Sequence, residues 1–359
     1  MRFCVIVLAW FPLRLPAQSN VNIPIGMPDP KPYTLHVYAN SIQIPTLTLT
    51  KSHKNIPGLT ARSFDITLDH GPKFHPTMVK TEGDSPISLG ILLDVSGPME
   101  AENDVLRSNI AALATHSFLP HDHVSVFGVD CKIIRTLNDA PATADNLQQG
   151  VDRALWSATA HDGISAAPRC ATGKHLWDSI AGAVTSMAGL PGYRVLLVIT
   201  DGQDFGSLNR WSEVQRLAVD KAVTVFAICP TRPGQFMGNS GTVVSAVRFT
   251  VVEDPLDFLC GDTGGLVLEG KPPAVADEVP HVLELVRNRY ILVFPRPSNE
   301  SRGAHYLDVK ISQKDAIVRP AGVGLPLPDP SIENDPSTVP SNNSNAPKFG
   351  NRRPLPAPQ

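Results

Sequence analysis

The chain has 359 residues, 42% hydrophobic and 18% charged, with 34 prolines and a formal net charge of −3. That length suits about two domains, and the composition suits a packed core with proline-rich flanks rather than a highly charged binding surface. No Lys/Arg run stands out, which argues against nucleic acid as a partner.

The first segment, "MRFCVIVLAWFPLRLPAQS", has a basic start at Arg2, an apolar run from Phe3 to Phe11 and a cleavage-like Leu15-Pro16-Ala17. It reads as a signal peptide over 1–17, with an uncleaved anchor as the other reading. The run falls short of the about 20 apolar residues of a membrane span, and no later segment is long enough to be one. The expected mature protein is therefore exported, periplasmic or secreted, with no membrane span. Residues 18–31 are Pro-rich and read as a linker. Over 32–85, "YTLHVYAN", "IQIPTLTLT" and "SFDITLDHG" alternate apolar and polar residues and predict strands of an N-terminal β region.

From Ile87 the texture changes. "ISLGILLDV" is a nearly continuous apolar run, as in a strand covered on both faces. "ENDVLRSNIAALATHSFL" places Leu106, Ile110, Leu113 and Ala114 on one helical face. "VSVFGVD" and "KIIRTLN" predict a strand pair. "TADNLQQGVDRALWSA" predicts a helix capped by Thr143, and "HLWDSIAGAVTSMAG" one closed by Gly189. "YRVLLVITDG" is a second buried strand, "WSEVQRLAVDKA" a helix and "VTVFAIC" a third buried strand. Pro230–Thr250 reads as an insertion loop. Asp254 and Pro255 open a short helix, and "VADEVPHVLELVRNR" is a last helix interrupted at Pro280. Strands alternating with amphipathic helices predict an α/β fold with a doubly wound, mostly parallel sheet over 86–288. "YILVFP" and "HYLDVKI" form C-terminal β strands over 289–322, expected to join the N-terminal strands in one flanking β-sandwich. The Pro/Asn/Ser-rich remainder, 323–359, is expected to be disordered.

In a doubly wound sheet, sites form at the carboxyl ends of strands near the topological switch point. Two buried strands end in aspartate there, Asp94 in "LLDVSG" and Asp201 in "VITDGQD", with Asp204 close in sequence. Carboxylates gathered this closely call for a cation, either a divalent metal or a basic side chain.

These residues carry a resemblance. "DVSGPM", the loop before "HLWDSIAGAV", and "ITDGQD" resemble the von Willebrand factor type A domain and its metal-ion-dependent adhesion site. "IPGLTARSFDITLDHG", "SPISLGILLDVSG", "VTVFAI", "DTGGLVLEG" and "RNRYILVFPRP" extend it to the VWFA-related proteins first catalogued in acidobacteria, over roughly Tyr33 to Pro320. The resemblance implies an exported protein of largely undefined activity. It also implies that Asp94, Ser96 and Asp201 bind a metal together with a second serine and a threonine. The second serine is here Pro98, which offers neither hydroxyl nor N–H. Without a gap, Lys174 falls where the threonine belongs; a gapped alignment recruits Thr172 instead, and the ungapped register is preferred. The expectation is a degenerate site: Asp94, Ser96 and Asp201 as remnant ligands, Lys174 as a stand-in cation, Pro98 and Asp204 at the rim. No cofactor is expected, with Mg or Mn only if the degenerate site still binds.

Other signals are weaker. His121 and His123 flank Asp122 in what reads as a solvated turn. "CATGKH" fails as a phosphate loop because Pro168 and His175 replace required residues. Cys4 leaves with the signal; Cys131, Cys170, Cys229 and Cys260 remain, an even set. A Cys131–Cys170 bridge is geometrically allowed, whereas Cys260 is expected at the opposite end from Cys229. The function expected is an exported protein–protein interaction or adhesion module, non-catalytic, meeting a protein partner at the carboxyl-end rim. A structural cell-envelope component with a vestigial site is the alternative, and a hydrolase the least favoured, since no nucleophile–base pair is visible.

Overall fold

The computed structural model describes residues 41–96, 99–129, 132–159, 174–230, 254–269, 275–297, 304–324 and 346–350. The expected signal peptide, linker and first strand lie outside the described residues, as do most of the insertion loop, Pro98, Thr172, Cys131 and Cys170.

Three strands come first: β1 (Ser41–Leu49), β2 (Phe64–Leu68) and β3 (Met78–Thr81). The α/β unit follows as β4 (Ile87–Asp94), α1 (Glu100–Ser117), β5 (His123–Val129), β6 (Ile133–Pro141), α2 (Ala144–Thr159), α3 (Leu176–Met187), β7 (Tyr193–Ile199), α4 (Trp211–Asp220), β8 (Val223–Ile228), α5 (Pro255–Asp262), β9 (Val267–Leu268) and α6 (Val275–Arg287). The chain closes with β10 (Tyr290–Pro295), β11 (Ala304–His305), β12 (Leu307–Ile311), β13 (Ile317–Pro320) and β14 (Val323–Gly324).

The six-stranded sheet runs β6-β5-β4-β7-β8-β9, parallel except for β6, which pairs antiparallel with β5. Its central strands are apolar on both faces because helices cover both. Leu89, Ile91 and Leu93 of β4 join Val195, Leu197 and Ile199 of β7 against α1, α2 and α6. Leu92, Leu196 and Val198 face α3, α4 and α5. The chain leaves β4 toward β5 on one side and returns as β7 on the other, so the switch point lies between β4 and β7. Helix α3 approaches β4 closely at Gly90, where an added Cβ would stand 2.4 Å from Met187 Sδ.

Beside this unit, an antiparallel sheet of order β13-β1-β10-β3 and the two-stranded β12-β2 ladder close over one core. Ile42, Ile44, Phe64, Ile66, Leu292, Phe294 and Val309 are buried there together. Phe64 meets Tyr290 edge-on at 5.6 Å between ring centroids. Strands from both ends of the chain thus share a layer, since none alone has enough apolar area to hide.

The structure differs from the sequence expectations in four places. Strand β3 was not expected; it is short and mostly exposed, and pairing with β10 supplies what its side chains do not. Helix α6 runs through Pro280 rather than breaking there. Part of the tail is ordered. Val323–Gly324 pairs with β11, the Gly350 amide donates to the Leu68 carbonyl at 3.0 Å, and Phe349 stacks on the His305 ring at 4.2 Å. An aromatic ring in a polar tail found apolar surface to cover. Finally, Cys229 and Cys260 are not at opposite ends. Both are buried in the core on the α3–α5 side of the sheet, and burial, followed by the neighbouring Cys229 thiol, pushes the Cys260 thiol well up. Among the described residues no helix is long and apolar enough to cross a membrane.

Candidate functional site

The site forms where β4 and β7 end. Leu92 faces α3, so two residues on, by strand alternation, Asp94 also turns to the α3 side. Its carboxylate is fully buried, and four donors meet it. Oδ1 accepts from the Ser96 amide at 3.1 Å and the Ser96 hydroxyl at 2.5 Å. Oδ2 accepts from the Thr200 hydroxyl at 2.7 Å and from Lys174 Nζ at 2.5 Å. The Asp94 carbonyl accepts from Asn103 Nδ2 of α1 at 2.8 Å, which fixes the turn from the other side.

Asp201 follows β7 in the turn Thr200-Asp201-Gly202. Gly202 has φ +80°, a conformation glycine adopts without a Cβ penalty. The turn lets the Gln203 amide donate to Asp201 Oδ1 at 2.9 Å and the Gly202 amide to Thr200 Oγ1 at 3.1 Å. Lys174 Nζ also donates to Asp201 Oδ1. The ammonium thus lies between two carboxylates, with Asp94, Asp201 and Lys174 only 0%, 3% and 6% exposed.

Two carboxylates against one ammonium leave the cluster one negative charge in excess. Removing such charges from water costs several kcal/mol each unless pairing and hydrogen bonds offset it, and the Ser96, Thr200 and Gln203 donors supply those bonds. Nearby, Glu102 on α1 is buried, and Oε2 has no hydrogen-bond partner among the described residues. Burial pushes its carboxyl above the ordinary glutamate value.

Of the residues singled out from sequence, Asp94, Ser96, Lys174 and Asp201 are brought together; Pro98 and Thr172 lie outside the described residues. Asp204 does not join them. Its Oδ1 accepts from the Leu176 and Trp177 amides at 2.8 and 3.3 Å and from Ser207 Oγ at 2.5 Å, capping the start of α3. The helix's free N-terminal amides attract a carboxylate, whereas a pocket that already holds an excess negative charge repels one. The same loop is tied down by Asp178, which accepts from the Leu208 and Asn209 amides at 2.9 and 2.8 Å. Burial raises the Asp178 carboxyl, but the bonds from Asn209 and Leu208 outweigh it and hold the carboxyl below its usual range. The Phe205 amide donates to the Lys174 carbonyl at 2.8 Å. Pinned in this way, the loop leaves Phe205 and Leu208 57% and 91% exposed beside the site, with Trp211 stacked on Phe258 nearby.

Sequence reasoning missed Thr200, Asn103 and Asp178. Thr200 was the most legible of these, since it stands between the apolar run Val195–Ile199 and Asp201.

His121 and His123 do not converge. His121 Nε2 lies 2.6 Å from the Asp84 carbonyl, and His123 Nδ1 lies 3.0 Å from Asp139 Oδ1. Asp122 between them is buried and structural: it accepts from the Ile87 and Leu119 amides at 3.0 and 2.7 Å and pairs with Arg287.

No family model and no curated protein matches this chain. Among solved structures it is similar to the conserved hypothetical protein BatB of Bacteroides thetaiotaomicron, at 15% identity and TM-score 0.38, over 55% of this chain and 97% of that one. An aerotolerance-related membrane protein of Bacteroides fragilis aligns at 13% identity and TM-score 0.37, over 56% and 98%. Proximal thread matrix protein 1 of the mussel byssus aligns at 9% identity and TM-score 0.42, over 61% and 50%.

Proposed function

We propose that the chain is an exported, non-catalytic protein–protein interaction module of von Willebrand factor A type, in which an internal lysine has taken the place of the metal. The observation that carries this reading is the Lys174 ammonium between Asp94 and Asp201. Magnesium demands near-octahedral oxygen coordination. Here one would-be hydroxyl position is proline, the threonine position is lysine, and both carboxylates already hold a cation. A divalent ion does not fit while Lys174 stays.

The substitution changes what the rim can recognise. A divalent ion would neutralise both carboxylates and leave its own coordination open to an acidic group of a partner. The ammonium leaves negative charge in excess and disfavours such a group. Recognition then falls to the loop beside the site, where Phe205 and Leu208 offer apolar contact that water does not reward.

One experiment with two arms tests this. Calorimetric titration with magnesium and manganese is expected to give no binding heat for the native protein and to give binding for the Pro98→Ser, Lys174→Thr double variant; tight binding by the native protein overturns the lysine substitution. Retention of envelope proteins on the immobilised chain is expected to drop at least several-fold for Phe205→Ser, Leu208→Ser; equal retention overturns the rim as the contact surface.

A further inference from the structure

We propose that Lys174 and Asp94 are joined by an intramolecular amide, an isopeptide cross-link across the rim of the sheet. The inference rests on the reading of Lys174 as the group that replaces a metal between the two carboxylates, and adds a covalent step that consumes its charge together with that of Asp94.

Three features of the pocket converge on this chemistry. The amine and the acyl group are held in contact, Nζ 2.5 Å from Asp94 Oδ2, in a site from which water is almost wholly excluded. Fixed placement of this kind raises effective concentrations to as much as about 10⁵–10⁸ M in well-oriented intramolecular reactions, enough to drive a condensation that is unfavourable between free groups in water. Next, the Asp94 carboxyl is surrounded by donors. The Ser96 amide, the Ser96 hydroxyl and the Thr200 hydroxyl all point at its oxygens, the arrangement that polarises a carbonyl and stabilises the oxyanion formed when an amine adds to it. Lastly, a second carboxylate, Asp201, is bonded to the same Nζ and stands ready to carry its protons. Asp201 itself accepts one backbone amide, from Gln203, besides the lysine. Asp94 is therefore the better activated acyl group and Asp201 the better proton carrier.

The step balances within these three side chains. The Lys174 ammonium gives one proton to the Asp201 carboxylate, and the freed Nζ lone pair adds to Asp94 Cγ. A Cγ–O bond then breaks. The departing oxygen leaves as water with the proton returned by Asp201 and a second from Nζ. The products are one secondary amide, one water and a regenerated Asp201 carboxylate; nothing is oxidised or reduced. The bond would tie the entry of α3 to the end of β4, 80 residues apart in sequence, and the burial of these side chains would keep out the water that hydrolyses an amide.

Peptide mapping of the full purified chain, with its N-terminus determined, decides the matter. The native protein is expected to weigh one water less than the same chain without the cross-link. Trypsin is expected to release a branched peptide joining residues 81–107 to 170–194, uncut after Lys174. Lys174→Arg keeps the positive charge but is expected to restore the full mass and to give only linear peptides, 81–107, 170–174 and 175–194. Asp94→Asn is expected to lose ammonia in place of water, and Asp201→Asn to leave most chains unlinked. The Asp201–Gly202 pair can cyclise to a succinimide with the same mass loss, so the branched peptide carries the decision. A native chain of full mass, or one whose water loss lies in a linear peptide with cleavage after Lys174, overturns the cross-link. Either result leaves the ion-paired lysine intact, because exclusion of metal is read separately by calorimetry.

Discussion

Lysine suits the space between Asp94 and Asp201 because its charge is compact and its donors rotate, so one nitrogen serves two carboxylates that do not lie in a plane. Arginine would bring a flat fork. Glu102 shows the opposite condition, a buried carboxylate with no bonded cation among the described residues. Its folded-state value is raised, so between the ordinary value of 4.5 and that raised value the folded chain holds more protons than the unfolded one. Its contribution to stability is then complete below about the unfolded value and is lost as pH rises through the folded one. Glu102→Gln is expected to raise the melting temperature near neutral pH and to flatten its decline between mildly acidic and neutral solution; an unchanged slope counts against this assignment. At this scale the sequence was readable where chemistry interrupts a buried run. Asp94 and Asp201 stand out because each ends a stretch of apolar residues, and Lys174 because it precedes "LWD" in an ungapped register. The cap that Asp204 forms on α3 was not legible, because spacing along a chain does not say which backbone amides its carboxylate will reach. Asn103 and Asp178 carry no such signal, since each acts on backbone brought near it only by folding.

Helix α3 is the element on which the site depends, because Lys174 is its approach and the 201–210 loop is laced to its first turn. Asp204 accepts two of its amides and Asp178 holds the loop in return. Asp204→Ala is expected to cost about 1 kcal/mol, as loss of a helix cap does, and to loosen Lys174, seen as faster amide exchange over 174–178 than over β7. Equal exchange in both places would mean that the cap does not position the lysine. Helix α2 was legible because its apolar positions repeat, and β4 and β7 because each is a nearly continuous apolar run. Strand β3 was not, because its side chains are mostly exposed and only the ladder with β10 defines it. The parallel edge strand β9 has two residues, too few for any period.

The two layers of the molecule are joined by a buried ion pair. Arg289, just before β10, donates from Nε and Nη2 to the Glu82 carboxylate at 2.8 and 3.0 Å and from Nη1 to Thr224 of β8 at 2.9 Å. Both partners of the pair are essentially inaccessible. Removing one partner strands the other charge, so Glu82→Ala is expected to destabilise by roughly 3–5 kcal/mol, while a joint Glu82→Leu, Arg289→Met replacement is expected to cost far less. Denaturant unfolding of the two variants checks this, and similar losses in both would show that shape rather than charge holds the junction. The strand order has a further consequence for how the protein is made. Strand β1 lies between β10 and β13, so every partner in its ladder is synthesised after the whole α/β unit. A chain emerging N-terminus first from a ribosome or a translocation pore therefore carries a β-rich segment with both edges bare until its final third arrives. Such a delay slows folding and invites pairing with the wrong chain. Ser41–Leu49 is where a chaperone has most to protect.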